Sequence, residues 1–116
     1  MFWKRNLQKA LKFVTSQHPI SKNTRDTLFN GENQIGYIEY RWSNDISNIV
    51  SMQIEKEHRL NGHGSRLLSY FENNMKDKGV KEAKVCILPD AKGFYMKNGY
   101  DQDGMHQSPA FYHKLF

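Results

Sequence analysis

The stretch Arg59-Leu60-Asn61-Gly62-His63-Gly64, followed at once by Ser65-Arg66-Leu67-Leu68, constrains this chain more than any other. It stands between a strand-like run, Ile49 to Ile54, and a helix-like run, Ser65 to Lys78. Within the latter, Leu67, Leu68, Phe71 and Met75 fall on one helical face. Lys76 and Lys78 stand near its negative end, and Gly79 is placed to stop it as a C′ residue. A glycine-punctuated turn from strand to helix leaves several backbone N–H groups without intrahelical partners, at the positive end of the helix dipole. Such a turn is an anion site, and a pyrophosphate is its natural occupant.

The flanking segments read as strands and one more helix. Thr24 to Phe29 and Gln34 to Trp42 are strand-like, joined by Asn30-Gly31-Glu32-Asn33, a hairpin signal because Asn-Gly tolerates positive φ. Ser43-Asn44-Asp45 turns the chain into a third strand, Ile46 to Glu55. There Val50, Met52 and Ile54 share one face, with Ser51, Gln53 and Glu55 on the other. Ala83 to Leu88 is a further strand, ended by Pro89. A short helix from Ala91 to Lys97 stops at Asn98-Gly99. An antiparallel meander followed by β-α-β and α-β-β units predicts an α+β fold, a mixed sheet with helices on its faces.

Two familiar phosphate loops do not fit. A Walker loop needs Gly-Lys-Ser/Thr, and a dinucleotide fingerprint needs a third glycine where Leu67 stands. What remains is R-x-x-G-x-G, which resembles the acyl-CoA pyrophosphate loop of the GNAT superfamily of N-acetyltransferases. Ala91-Lys92-Gly93-Phe94-Tyr95-Met96-Lys97-Asn98-Gly99-Tyr100 resembles the downstream signature of the same family, and Ala110 to Phe116 looks like its last strand. The resemblance covers about Gln34 to the C-terminus. It implies a GNAT-like, mostly antiparallel twisted sheet flanked by helices.

It also implies an activity: direct transfer of an acetyl group from acetyl-CoA to a primary amine within a ternary complex. By resemblance, N–H groups of Leu60, Asn61, Gly62, His63, Gly64 and Ser65 hold the pyrophosphate, and the main chain at Ile54 and Lys56 pairs with the pantetheine. Arg59, Arg66 or Lys97 can add charge toward the anionic coenzyme, or stand as ordinary surface bases. His63 offers its amide, with its ring a bystander. Tyr95 is the implied general acid for the leaving thiolate, since a phenol is protonated at neutral pH; the alternative is a packed aromatic. The base is less defined: Glu55 is named for it, ahead of Glu39 and His58, while Glu57 matches a non-catalytic loop position. Leu88 stands where the family often has an asparagine, so that contact is lost or passes to Asp90. Cys86 lacks an adjacent activating pair and reads as a small strand hydrophobe, not a nucleophile.

A chain of 116 residues predicts a single domain: a basic N-terminal helix and connection over 1–23, then an acyl-CoA-binding core over 24–116. The net charge of +5 belongs wholly to residues 1–23, where Lys4, Arg5, Lys9, Lys12 and Lys22 stand without an acid. Trp3, Leu7, Ala10, Leu11 and Val14 make one stripe at helical period, ending by His18-Pro19. This amphipathic helix can be a docking helix, a basic face for nucleic acid, an acidic protein or anionic lipid, or a targeting segment. A non-catalytic binding module using that helix on nucleic acid or a protein partner is therefore the rival function; a homodimer fits either. The few enclosing loops favour a macromolecular amine acceptor. One cysteine and no long apolar run predict a cytoplasmic protein without a membrane span. His18, His58, His63, His106 and His113 show no metal-ligand spacing, so no metal is expected.

Overall fold

The computed structural model describes residues 11–105 and 108–116. The strands are β1 (Leu11–Gln17), β2 (Thr24–Asn30), β3 (Asn33–Ser43), β4 (Ile46–Ile54), β5 (Glu82–Cys86), β6 (Asp101–Gln102) and β7 (Phe111–Leu115). The helices are α1 (His63–Asp77) and α2 (Lys92–Lys97), with 3-10 turns at Lys56–His58 and Pro89–Ala91. The strands form a mixed, mostly antiparallel sheet in the order β1-β2-β3-β4-β5-β7-β6, with β4 and β5 parallel. No helix among the described residues is long and apolar enough to cross a membrane.

The N-terminal helix requires correction. Residues 1–10, with Trp3, Leu7 and Ala10, lie outside the described residues. From Leu11 to Gln17, however, the chain is a strand, paired antiparallel with β2 from Leu11↔Asn30 to Gln17↔Thr24. The helical stripe used Leu11 and Val14 and passed over Phe13. Phe13 is half-buried and stacks on Tyr70 with ring centroids 4.1 Å apart, whereas Val14 is exposed. Thr15 donates to Asp26, its partner across the ladder, at 2.7 Å. Stiff β-branched Val14 and Thr15 suit that ladder better than a helix. A tight turn over 18–23 joins β1 to β2, with the His18 Nδ1 accepting from the amides of Ile20 and Ser21.

The chain divides into two compact units. One comprises the described residues up to Glu39 together with Ser51–Phe71. Its apolar core contains Leu28, Ile35, Ile38, Leu67, Leu68 and Phe71, all at most 1% exposed. Leu67, Leu68 and Phe71 are the face read from the helical period. Gly36 permits a close approach of β3 to β4. A Cβ there would stand 2.5 Å from the Gln53 carbonyl oxygen and 2.6 Å from the Ile54 Cδ1. The neighbouring amide of Glu55 donates to Ile35 O at 2.8 Å. Gly36→Ala is therefore expected to cost about 1–3 kcal/mol, because the obstruction includes backbone that cannot swing away. The midpoint of urea unfolding reads this directly; an unmoved midpoint contradicts the packing described.

On β2 and β3, Glu39 accepts from Asn23 at 3.1 Å and from both Arg25 Nε and Nη2, at 3.2 and 2.9 Å. The Asn23 hydrogen bond, and then Arg25, hold the Glu39 carboxyl below its ordinary value of 4.5 against the opposing effect of burial. A depressed folded pKa contributes stability above the unfolded value and loses it as pH falls through the folded one. Glu39→Gln is thus expected to flatten part of the stability loss below pH 4.5. Chemical unfolding across an acid series checks this; an acid limb as steep as the wild type's contradicts it.

The second unit comprises Tyr40–Val50 and Glu72–Phe116. Tyr40, Ile49, Met75, Val80, Ala83, Val85, Ile87, Tyr95, Tyr100 and Tyr112 are its buried apolar residues. In β4 the buried pair is Ser47 and Ile49, whereas Val50 is 47% exposed. The Ser47 hydroxyl donates to Glu82 O at 3.0 Å, tying β4 to β5 where they run parallel. Both helices end in the same way. Gly79 (φ +80) and Gly99 (φ +92) are left-handed C′ residues. Each turn places an apolar residue at C″ with two reversed hydrogen bonds: Val80 N to Met75 O with Gly79 N to Lys76 O, and Tyr100 N to Tyr95 O with Gly99 N to Met96 O. These are Schellman motifs, and they satisfy carbonyls that the helix end would otherwise orphan.

Candidate active site

The turn after β4 carries left-handed backbone on either side of Asn61, just ahead of the first turn of α1. Ile54 closes the strand, the exposed Glu55 follows, and Lys56–His58 make a 3-10 turn. Leu60 (φ +66) and Gly62 (φ +77) are left-handed, and Leu60 is fully exposed. A Cβ on Gly62 would meet nothing within 4 Å, so the glycine is required there by backbone conformation and not by space. Helix α1 begins at His63, two residues before the expected Ser65. The Arg66 amide donates to Gly62 O at 3.1 Å across this first turn. The amides of His63, Gly64 and Ser65 therefore belong to the first turn, which has no intrahelical acceptors of its own.

Two arginines brace this turn. Arg59 Nε donates to Ile54 O at 3.0 Å, and Arg66 Nη1 donates to Asn61 O at 3.1 Å. Arg66 Nη1 also lies 3.0 Å from His63 Nδ1. Because an arginine can only donate, that ring nitrogen accepts. Burial, followed by the nearby charges of Arg66 and His58, holds the His63 pKa below its ordinary value of 6.5, which fits the accepting, neutral ring. The His63 ring is thus a structural partner of Arg66 and not a bystander. Lys97 is exposed in the last turn of α2.

In the second unit, Tyr95 is 6% exposed on α2, flanked edge-on by Phe94 and Tyr100 at 5.2 and 5.4 Å between ring centroids. Burial pushes its hydroxyl pKa up to about 12. Behind it lies a group that the linear sequence did not single out. Glu72, 6% exposed on α1, accepts from the Tyr100 hydroxyl at 2.9 Å and from Lys114 Nζ at 2.9 Å. Lys114 Nζ also donates to Asn98 O at 2.9 Å. One signal for it existed: an acid at position 72, four residues after Leu68 and three before Met75, falls on the buried helical face.

Other candidates are dispersed or engaged. The Glu39 carboxylate is occupied by Asn23 and Arg25. His58 is half-buried, its ring edge-on to His63 at 6.4 Å. Leu88 is 72% exposed before the Pro89–Ala91 turn, Asp90 is exposed, and Cys86 is a free, exposed thiol and not a buried hydrophobe. Folding also gathers Glu82, Asp103 and His113, whose ligand atoms lie within 4.8 Å of one another, a group invisible to linear spacing. Its groups partner one another: His113 Nδ1 lies 2.7 Å from Glu82 Oε2, and Lys84 Nζ 3.7 Å from Asp103 Oδ2. Asp103 also accepts from the Met105 amide at 3.0 Å. We read it as a polar network that joins β5, β7 and the residue following β6.

The strand order, with α1 following β4 and α2 following β5, defines an acetyltransferase-type fold. The family model described as acetyltransferase (GNAT) domain matches residues 25–102, and the chain belongs to that family. Solved structures agree in fold. The paia N-acetyltransferase of Thermoplasma acidophilum, in complex with coenzyme A, is 23% identical with a TM-score of 0.73, over 79% of this chain and 60% of that one. An acetyltransferase of the GNAT family from Staphylococcus aureus MU50 is 20% identical with a TM-score of 0.69, over 80% of this chain and 67% of that one. N-acetylglutamate synthase of Neisseria gonorrhoeae, complexed with coenzyme A and N-acetyl-glutamate, is 12% identical with a TM-score of 0.70, over 78% of this chain and 25% of that one. No curated protein matches the chain.

Proposed function

We propose that the protein is an acetyl-CoA-dependent N-acetyltransferase acting by direct transfer to a primary amine, with residues 24–116 forming its acyl-CoA-binding core. Family membership over residues 25–102 is the observation that carries this reading. Coenzyme A is the ligand of two of the structural neighbours, which supports the same choice here. The turn fits such a ligand: its left-handed Gly62, and the first-turn amides of His63, Gly64 and Ser65, suit a diphosphate. Acetyl-CoA would supply the activated acetyl group.

The protein's own residues have three tasks. The amides from Leu60 to Ser65 bind the diphosphate, and the main chain at Ile54 and Lys56 aligns the pantetheine arm. Arg59 Nε donates to Ile54 O at 3.0 Å, and that carbonyl keeps a second lone pair for the pantetheine amide. Tyr95 gives its hydroxyl proton to the departing thiolate as the carbon–sulfur bond breaks. Glu55, exposed at the end of β4, receives the proton lost by the attacking amine, through water. Glu39 is less suited to that role because its carboxylate is already engaged and its pKa is depressed. A domain of 116 residues has few loops with which to enclose a small amine, which favours a macromolecular acceptor. A homodimer and a cytoplasmic setting are compatible with this assignment.

The test is thiol release from acetyl-CoA in the presence of panels of proteins, peptides and small amines, with mass analysis of the acceptor. Acetylation of an amine, with release of one thiol per transfer, supports the enzyme. Binding of acetyl-CoA without transfer to any acceptor supports the rival, a non-catalytic module of the same fold.

A further inference from the structure

We propose that Lys114, anchored by Glu72, is a positioning residue that fixes the orientation of Tyr95 through the turn that ends its helix. The inference rests on the acid role given to Tyr95 above. Helix α2 has only six residues, too few to hold its own axis by backbone bonds alone. Its C-terminal end is the Schellman turn, in which Tyr95 and Tyr100 are the C3 and C″ residues. Whatever holds that turn therefore holds Tyr95.

Two contacts reach it from outside the helix, and a third ties their side chains together. Lys114 Nζ donates to Asn98 O, the C-cap carbonyl, at 2.9 Å. A cation at this position also matches the negative end of the helix. Glu72 fixes the ammonium at 2.9 Å and takes the Tyr100 hydroxyl at the same distance, so one carboxylate sets both the cation and the C″ residue. Gly99 leaves room for this: a Cβ there would lie 3.2 Å from Lys114 Cε and 3.4 Å from Nζ, in a backbone conformation (φ +92) that already excludes most residues. The anchor thus joins three separate elements, α1, β7 and the end of α2. The Tyr95 ring packs edge-on against Tyr100, so displacement of Tyr100 transmits to it directly.

The experiment is a double-mutant cycle between Lys114→Met and Tyr95→Phe, with kcat and the acetyl-CoA KM measured below the melting temperature of every variant. Lys114→Met is expected to lower kcat about tenfold in the wild-type background with KM within about twofold, and less than about twofold further in the Tyr95→Phe background. Lys114→Arg is expected to restore most of the loss. Equal losses of kcat in both backgrounds, or no loss in the wild-type background, overturn the proposal. Should Lys114→Met not fold, Glu72→Gln, which keeps volume and hydrogen bonding, takes its place with the same criteria. A second readout separates this idea from the acid assignment. With the aromatic rings labelled, the Tyr95 ring contacts with Phe94 and Tyr100 are expected to weaken in Lys114→Met, read as loss of their ring-to-ring nuclear Overhauser effects. If Tyr95→Phe alone leaves turnover unchanged, the acid role fails and the ring contacts judge the anchor; unchanged Tyr95 ring contacts in Lys114→Met overturn it.

Discussion

Tyr95→Phe is expected to lower turnover at least tenfold while acetyl-CoA affinity changes little. The substitution keeps the ring, and with it the edge-on packing against Phe94 and Tyr100. It removes the proton that the departing thiolate needs, so the loss is expected on kcat and not on coenzyme binding. A tenfold loss corresponds to about 1.4 kcal/mol of transition-state stabilisation, modest for a general acid. The pH profile carries the same information with a definite sign. Burial holds the hydroxyl pKa up at about 12, so the acid form persists from neutral pH far into the alkaline range. Any alkaline fall in rate well below that value must come from another group, and it should survive in Tyr95→Phe. Unchanged turnover in the variant would remove Tyr95 from the chemistry.

Glu72→Ala is the substitution expected to cost most in stability. It strands the Lys114 ammonium and the Tyr100 hydroxyl together. Loss of one partner of a buried pair costs about 3–5 kcal/mol. Lys114 retains 28% side-chain exposure, and some of its charge is recovered by water, which places the effect at the low end, about 3 kcal/mol. Tyr100→Phe should cost less, about 1.5–3 kcal/mol, because it deletes one hydrogen bond to a charged acceptor and leaves the ion pair intact. Denaturant unfolding of both variants ranks them. A Glu72→Ala variant within 1 kcal/mol of wild type, on the order of a surface ion pair, would mean the pair is solvated in practice.

Local rules made much of this fold legible. The loop, the helix carrying Leu67, Leu68, Phe71 and Met75, and the two glycine stops are set within a few residues of sequence, where capping and period dominate. The downstream signature acquires a physical meaning: Tyr95, Gly99 and Tyr100 are the C3, C′ and C″ residues of one turn. Legibility failed where long-range contacts decide. Leu11 to Gln17 has helical spacing on paper, but Asp26 and Tyr70, distant in sequence, offer Thr15 and Phe13 their partners in a strand. The Glu72–Lys114 pair spans 42 residues, and only an acid on a buried helical face hinted at it. Arg59 and Arg66 are conspicuous as bases beside a phosphate loop, yet one is used on the Ile54 carbonyl at the strand end and the other on the Asn61 carbonyl within the loop. Short-range spacing cannot distinguish a brace from a ligand contact.

The whole functional account depends on the turn from Leu60 to Ser65 accepting a diphosphate. The most direct measurement is isothermal titration of acetyl-CoA into the full chain, run alongside Gly62→Val. A β-branched residue is strongly disfavoured at φ +77, so the variant should lose the cradle's shape while the helix it precedes remains. The account predicts saturable, one-to-one binding, with a dissociation constant on the order of 1–100 μM, weakened at least tenfold in the variant. No measurable heat with the wild-type chain at millimolar coenzyme, or equal affinity in both proteins, would contradict it.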